Sequence, residues 1–138
     1  MGVRRRAREL ALQMLYQHEL SGETPEAIQS DFEEWKGAPE AAQRFADELL
    51  RGTLEHLEEI DGLLARQTAH WKLDRLAAVD RNILRIAMFE LLYHEETPPA
   101  VVIDEAIEIA KRFGAEESSR FVNGVLDGFL KRGRARPQ

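Results

Sequence analysis

Four arginines lie close together near the N-terminus, at positions 4, 5, 6 and 8, and no acidic residue precedes Glu9. On a helix, Arg4 and Arg8 are one turn apart and share a face, and Arg5 lies beside that face. Planar guanidinium groups match phosphate oxygens, so Arg4, Arg5, Arg6 and Arg8 are candidate contacts for a nucleic-acid backbone. The alternative interpretation is a solvated run of charge that binds nothing.

A second polar segment, residues 118–124, reads Ser-Ser-Arg-Phe-Val-Asn-Gly and begins the last predicted helix. A helix N-terminus offers backbone N–H groups and partial positive charge to an anion. Arg120 can contact a phosphate or stack on a base, Asn123 can hydrogen-bond to a base edge, and Phe121 can stack on an unpaired base. Alternatively, Phe121 belongs to the apolar core with Val125, and Gly124 indicates close helix packing.

Two further residues, Tyr16 and Asp80, are candidate contacts for a protein partner. Tyr16 lies off the main apolar stripe of the first predicted helix, where an exposed tyrosine beside acids can anchor a partner. A half-buried tyrosine whose hydroxyl reaches water is the alternative. Asp80 precedes a strongly apolar segment, and its simplest interpretation is the N-cap of a helix.

No recognisable catalytic or metal-binding motif is present in the sequence. There is no cysteine, no phosphate-binding glycine loop and no nucleophile motif, and the four histidines are not spaced as ligand pairs. Asp104 and Glu108 lie one helical turn apart and could hold a metal ion, but a solvated helix face is the simpler interpretation. We therefore expect no catalytic residue, no bound metal and no cofactor.

Charge is distributed unevenly along the chain, whose net charge is -6. Basic residues concentrate at both ends, and the second cluster consists of Lys131, Arg132, Arg134 and Arg136. Acids predominate between Glu19 and Asp61. This distribution predicts two surfaces of opposite sign, one suited to a polyanion and one to a basic protein. Because no apolar run is long enough to span a bilayer and no secretory signal is present, we expect a cytoplasmic protein.

Apolar residues recur at helical spacing along nearly the whole chain, and no stretch alternates for long as a strand does. This pattern predicts an all-α protein, a compact multi-helix bundle that forms one domain over residues 1–138. Proline and glycine positions divide it into helices over about 3–20, from 24 onward, 39–67, 81–94, 99–113 and from 116 or 118 onward, with a short turn or helix at 71–79. Thr24 is the expected N-cap of the second helix, and Gly114 should close the helix over 99–113. The helix over 81–94 is apolar on most sides and should lie in the middle of the bundle. Gly52 and Gly62 could bend or split the helix over 39–67.

Three ordered blocks of residues resemble the NusB family, and the resemblance spans nearly the whole chain. The first block is residues 4–9 (RRRARE), followed by Ala11, Gln13 and Leu15-Tyr16. The second block is residues 80–87 (DRNILRIA) with Glu90-Leu91. The third block covers residues 103–111 (IDEAIEIAK), 113–116 (FGAE) and 121–126 (FVNGVL). Blocks in this order and at this spacing are far more specific than an arginine cluster alone.

The resemblance implies a fold of seven helices in two three-helix bundles. It also implies a transcription antitermination factor that binds the boxA segment of ribosomal RNA leader transcripts, as single-stranded RNA, together with NusE, a small-subunit ribosomal protein. Such a factor acts with other Nus factors and RNA polymerase to promote processive transcription of ribosomal RNA operons. Because the family contains monomers and dimers, the assembly state stays open. A similar domain begins some RNA cytosine methyltransferases, but we expect no catalytic domain here because this sequence ends at Gln138.

By the same resemblance, the N-terminal arginines and residues 121–123 would face RNA, and Tyr16 and Asp80 would face NusE. Asp80 stands where some relatives have the longer glutamate, which leaves the pairing geometry open. The RNA hypothesis requires the arginine cluster and the start of the last helix to lie on one shared surface. The alternatives are a helical scaffold that binds only proteins and an enzyme whose site has no recognisable motif.

Overall fold

A computed structural model describes residues 2–68 and 72–133 of the chain. Within these residues the chain forms eight α-helices, one short 3-10 turn and no strand, so the all-α prediction is confirmed. The helices are α1 (Val3–Ser21), α2 (Pro25–Asp31), α3 (Glu33–Lys36), α4 (Glu40–Glu55), α5 (Leu57–Gln67), α6 (Ala78–Tyr93), α7 (Pro99–Phe113) and α8 (Ser118–Gly133), and the 3-10 turn is Leu73–Arg75. None of the helices described is long and apolar enough to cross a membrane.

The resemblance implies seven helices, and the periodic pattern predicts six and a short turn or helix at 71–79, whereas the described part of the chain has eight α-helices. The pattern falls two helices short for two reasons. One reason is α3, which is only four residues long and leaves too few positions for a periodic pattern. The other is a break in the predicted helix over 39–67. Some predicted features lie outside the described residues: the beginning of the turn at 71–79, with Trp71, and the distal part of the C-terminal basic cluster, Arg134 and Arg136.

The chain divides into two compact units, Met1–Glu55 and His56–Gln138. In the first unit, α1 packs against α4. The predicted stripe of α1 is confirmed as core for five of its six residues, since Ala7, Leu10, Ala11, Met14 and Leu15 are at most 2% exposed. The sixth, His18, is only half-buried. Opposite them, α4 buries Ala42, Ala46, Leu49 and Leu50 completely. Removing each large aliphatic side chain from water contributes roughly 1.5–3 kcal/mol, so this interface positions the start of α1.

Short-range capping fixes the connection between α1 and α2. Gly22 ends α1 with a left-handed φ of 73°, and its N–H donates to the His18 carbonyl at 2.8 Å. Thr24 caps α2 as expected, because its hydroxyl accepts from the Ala27 N–H at 3.2 Å. Arg51 of α4 donates to both Glu26 and Asp47 at 2.8 Å. The hydrogen bond from Arg51 lowers the pKa of Glu26, so the pair ties α2 to α4 while that carboxyl is ionised.

The predicted helix over 39–67 is broken at His56, and neither Gly52 nor Gly62 interrupts it. His56 leaves helical geometry with φ -107° and ψ 20°, and it separates α4 from α5. Its ring stacks on Tyr93 of α6 with 4.1 Å between the centroids. This aromatic contact gives the His56 side chain a partner on α6, far away in the sequence, and helix propensity cannot anticipate such a contact.

Helix α6 is the centre of the second unit and contacts α5, α7 and α8. It buries Ile83, Leu84, Ile86, Ala87, Met88 and Phe89, which confirms the expectation for the most apolar predicted helix. Arg85 leaves the apolar sides and forms a bidentate pair with Asp61 of α5, with both N–O distances at 2.8 Å. The helix begins at Ala78 and not after Asp80, so the prediction of Asp80 as N-cap is wrong. Asp80 lies instead in the first turn, where a carboxylate favours the positive helix end.

The connection from α7 to α8 depends on close contact between Gly114 and Ser118. Gly114 ends α7, as predicted, with its N–H donating to the Ala110 carbonyl at 2.9 Å, but its φ of -94° is open to any residue. Glycine is required here for space, because a Cβ would lie 2.5 Å from the Ser118 hydroxyl oxygen. That hydroxyl accepts from the Ala115 N–H at 2.9 Å, and Ser118 is 2% exposed. The start of α8 is therefore held by a buried side-chain hydrogen bond.

We expect Gly114→Ala to lower the free energy of unfolding by about 1–3 kcal/mol, since the added methyl group has no room beside Ser118. Urea denaturation measures the change. Gly62→Ala is the matched control, because a Cβ at Gly62 meets no described atom within 4 Å. Better helix propensity should stabilise that control by up to ~1 kcal/mol. Equal stability of Gly114→Ala and the parent chain would contradict the close contact.

Candidate nucleic-acid interface

The four N-terminal arginines lie on the first two turns of α1 and differ in exposure. Arg4 is exposed, Arg5 and Arg6 are half-buried, and Arg8 is only 4% exposed. Arg6 approaches Glu9, a residue that is 1% exposed, with 3.8 Å between nitrogen and oxygen. The cluster therefore presents Arg4, Arg5 and Arg6 to solvent to different degrees, and it withdraws Arg8 into the unit.

Two of these guanidinium groups lie over the ring of Phe45 on α4. The Cζ atom of Arg4 lies 4.3 Å from the centre of the Phe45 ring, and that of Arg8 lies 5.5 Å from it. Arg4 and Arg8 share a face, as predicted, but that face rests on α4. The prediction that Arg8 contacts phosphate is accordingly corrected. Arg8 is a buried residue of the α1–α4 interface, and its side chain has almost no surface accessible to a ligand.

Helix polarity makes the position of these arginines unusual. The N-terminal end of a helix carries partial positive charge, which favours acids in the first turn and disfavours cations. The first turn of α1 contains no acid, and its N-cap, Gly2, has no side chain to bond the free N–H groups. Arg4, Arg5 and Arg6 add to this positive end. The start of α1 is thus a concentrated positive region, a geometry suited to an anion.

At the start of α8, the predicted residues alternate between surface and core. Arg120, Asn123 and Gly124 are exposed, Phe121 is half-buried, and Val122 is completely buried. The core contacts predicted for Phe121 belong mainly to its neighbour Val122. Phe121 itself lies at the edge of the core, where part of its ring remains open to a ligand.

A pocket of about 530 Å³ lies between the starts of α6 and α8 in the second unit. Its walls include Leu76, Ala77, Asp80, Ser118, Arg120 and Phe121. The Oδ1 atom of Asp80 is buried there without a hydrogen-bond partner among the described residues. Asp80, predicted for the protein side, therefore shares one pocket with Arg120 and Phe121, predicted for the RNA side. Sequence reasoning did not identify Leu76 and Ala77 as part of this site. An apolar pair just before the start of a helix was the feature that could have indicated them.

Tyr16 is exposed on α1, as predicted, with 39% of its surface accessible. Leu20, one helical turn further along, is 65% exposed and extends the same outward side of α1. Sequence reasoning missed Leu20, although an apolar residue off the buried stripe was a usable signal. Two exposed apolar side chains one turn apart form a small contact surface in the first unit.

Gly124 is not explained by close helix packing. A Cβ atom built at Gly124 meets no described atom within 4 Å, whereas one at Gly128 of the same helix would lie 2.8 Å from a nitrogen of Arg132. Glycine inside a helix costs ~1 kcal/mol relative to alanine. The interpretation of Gly124 as a packing residue is therefore wrong, and its cost is not offset by contacts within the described residues.

The carboxylate pair of α7 has no metal-site geometry. Asp104 and Glu108 are both exposed, and Glu108 lies 3.3 Å from the Lys111 ammonium group. Across residues 2–68 and 72–133, no group of three or more histidine, cysteine, aspartate or glutamate side chains is placed to hold a metal ion. The pair has the exposure and ion pairing of a solvated helix face.

Comparison with known proteins shows relatives over nearly the whole chain. The family model described as "NusB family" matches residues 5–131. The transcription antitermination protein NusB of Geobacter sulfurreducens is 47% identical over 128 residues, which cover 92% of this chain and 93% of the relative. The resemblance seen in the sequence is thus confirmed.

Solved structures agree with this relationship. NusB of T. maritima is 44% identical, with a TM-score of 0.85, and the match covers 94% of this chain and 91% of that one. A crystal structure of antitermination factors NusB and NusE in complex with double-stranded RNA contains a chain that is 32% identical, with a TM-score of 0.85 and coverage of 95% and 98%. The family model, the sequence relatives and the fold lead to one conclusion: this chain belongs to the NusB family.

Proposed function

We propose that this protein is a transcription antitermination factor that binds single-stranded RNA and performs no catalysis. Its RNA ligand is the boxA segment of ribosomal RNA leader transcripts, bound together with NusE. Relatives at 47–49% identity carry the name transcription antitermination protein. A related NusB chain was crystallised with NusE and RNA. In this proposal the protein works in the cytoplasm as one RNA-binding domain, with other Nus factors and RNA polymerase, on ribosomal RNA operons.

The observation that carries the RNA proposal is the positive region at the start of α1. Arg4, Arg5 and Arg6 add charge where the helix dipole is already positive, and this repulsion opposes the stability that the contact of Arg4 with Phe45 provides. A polyanion relieves that repulsion when it binds, and guanidinium groups supply directed hydrogen bonds to its phosphates. In this proposal Arg8 positions the cluster by packing on Phe45 and does not contact RNA.

The start of α8 supplies the second set of proposed RNA contacts. Arg120 is exposed for phosphate binding, Asn123 is exposed for a base edge, and the half-buried ring of Phe121 offers a surface for base stacking.

The proposed NusE contacts are Tyr16 on α1 and Asp80 at the start of α6. Leu20 adds apolar area beside Tyr16, and the acid-rich segment between Glu19 and Asp61 favours approach of a basic protein. Asp80 lines the pocket at the start of α6, where its carboxylate supplies negative charge for a basic side chain of the partner.

A protein-only scaffold is the alternative function, and salt dependence separates the two. We expect the double variant Arg4→Gln with Arg5→Gln to flatten the dependence of RNA affinity on salt by about 1.4 units of slope, because each lost phosphate contact removes ~0.7 for a single strand. Fluorescence anisotropy with a boxA RNA at several salt concentrations measures the slope.

The control for this experiment is the double variant Arg44→Gln with Arg66→Gln, which removes the same charge from exposed arginines elsewhere. Circular dichroism checks that both proteins stay helical. The same slope in the parent and in the Arg4–Arg5 variant would remove the N-terminal cluster from the RNA site.

Phe121→Ala should weaken RNA binding by roughly 1–3 kcal/mol, the usual contribution of a base stacked on an aromatic ring. Because Phe121 is half-buried, its loss should cost less stability than truncating a buried aromatic side chain, which costs ~3–5 kcal/mol. Val122→Ala is the comparison, since Val122 is 0% exposed and should affect mainly stability. Equal RNA affinity of Phe121→Ala and the parent would exclude base stacking at this position.

Tyr16→Ala and Asp80→Asn should weaken binding of NusE about tenfold, a loss of ~1.4 kcal/mol each, while Tyr16→Ala leaves RNA affinity unchanged. Tyr93→Ala is the matched control, because Tyr93 is 44% exposed and Tyr16 is 39% exposed. Isothermal titration calorimetry with NusE, with and without RNA, separates the two ligands. A Tyr16→Ala protein that binds NusE normally would contradict the assignment.

A further inference from the structure

Gly124 lies in the interior of α8 (Ser118–Gly133) and is exposed to solvent. No contact within the described chain explains why this residue is a glycine. Glycine is the least favourable helix-interior residue after proline, so a glycine in this position lowers the stability of the helix. Backbone conformation does not supply a reason for it, because Gly22 is the only described glycine with a positive φ.

Close packing does not supply a reason either. Gly114 and Gly128 have neighbours that a Cβ atom would meet at 2.5 Å and 2.8 Å. No atom of residues 2–68 or 72–133 lies within 4 Å of the equivalent position at Gly124. The helix backbone is therefore bare on this side, and any molecule that approaches it comes from outside the described chain.

The surroundings of this bare backbone favour a nucleic acid over a protein. Arg120 lies one turn before Gly124 and Asn123 lies beside it, and both are exposed. These groups can hydrogen-bond to phosphates, sugars and base edges. The large apolar side chains exposed in the described residues, which would favour a protein contact, are Val3, Tyr16, Leu20, Tyr93 and Val101, and none lies on α8.

We propose that Gly124 is the point at which the sugar–phosphate backbone of the RNA lies directly on the backbone of α8. This inference rests on the RNA binding proposed above and assigns a further contact residue to it. A side chain at this position would hold the strand away from the helix. Glycine permits van der Waals contact and weak Cα–H···O contacts with ribose or phosphate oxygens. Its role is steric, and it lets Arg120 and Asn123 reach their groups on the same strand.

A second glycine in the second unit provides a matched control. Gly62 of α5 is also exposed and inside a helix, and a methyl group added to it would meet no described atom within 4 Å. One turn before it stand two exposed acids, Glu58 and Glu59, which repel a polyanion. Gly62 thus shares the local geometry of Gly124, but two acids stand one turn before it, where Arg120 stands one turn before Gly124.

The experiment compares four variants of the full chain, Gly124→Ala, Gly124→Leu, Gly62→Ala and Gly62→Leu, by thermal denaturation and by titration with boxA RNA. All four should be at least as thermally stable as the parent, since alanine and leucine favour helices. RNA affinity should fall about threefold for Gly124→Ala and about tenfold or more for Gly124→Leu. Both Gly62 variants should bind RNA as the parent does. The salt dependence should not change in any variant, because no charge is removed.

Three results would overturn the inference. Parental RNA affinity in both Gly124 variants would show that no strand lies on this part of α8. Weaker binding of NusE with unchanged RNA affinity would assign the surface to the protein partner. Failure of the parent chain itself to bind RNA would reject the proposed function together with this inference. That outcome differs from failure of the Gly124 inference alone, because it is seen in the protein without any substitution.

Discussion

The guanidinium groups of Arg4 and Arg8 lie over the ring of Phe45, at 4.3 Å and 5.5 Å from its centre. A cation over an aromatic face gains about 0.5–2 kcal/mol, with the larger value where water is excluded. Arg8 is 4% exposed, so its charge needs further compensation, and it has other interactions within the chain. This contact joins the charged start of α1 to the buried surface of α4. The direction in which the remaining arginines point therefore depends on the packing of the first unit.

In the second unit, the corresponding constraint is the cap formed by Ser118. Its buried hydroxyl group accepts the Ala115 N–H, and Gly114 leaves the space that this hydrogen bond needs. Together they set where α8 begins beside α6. Arg120 and Phe121 consequently line the same pocket as Asp80. Side chains of both signs line this pocket, with Arg75 and Asp80 on the α6 side and Glu117 and Arg120 on the α8 side, so an anion and a basic side chain can be bound near each other.

Each unit contains residues that are locally unfavourable for the helix in which they lie. At the start of α1, cations are placed against the preference of the helix dipole, which favours binding of an anion over stability of the free chain. At Gly124, an unfavourable helix residue leaves backbone bare where polar groups are exposed. Residues that oppose the local stability of a helix are typical of binding sites. Both features fit a protein whose contacts are completed by its ligand.

The sequence by itself determined the helical class, the buried stripe of α1, the bounds of α7, the cap at Thr24 and the family. The first four depend on residues close together in the chain, through the period of the helix and the capping groups, and the family depends on the order of three blocks along the chain. Only the tertiary structure decided that Arg8 is buried on Phe45, that His56 breaks a helix to stack on Tyr93, that Asp80 shares a pocket with Phe121, and that Gly124 is bare. The physical reason is that burial and packing arise from contacts between helices far apart in sequence, and local periodicity carries no information about which residues those contacts bring together.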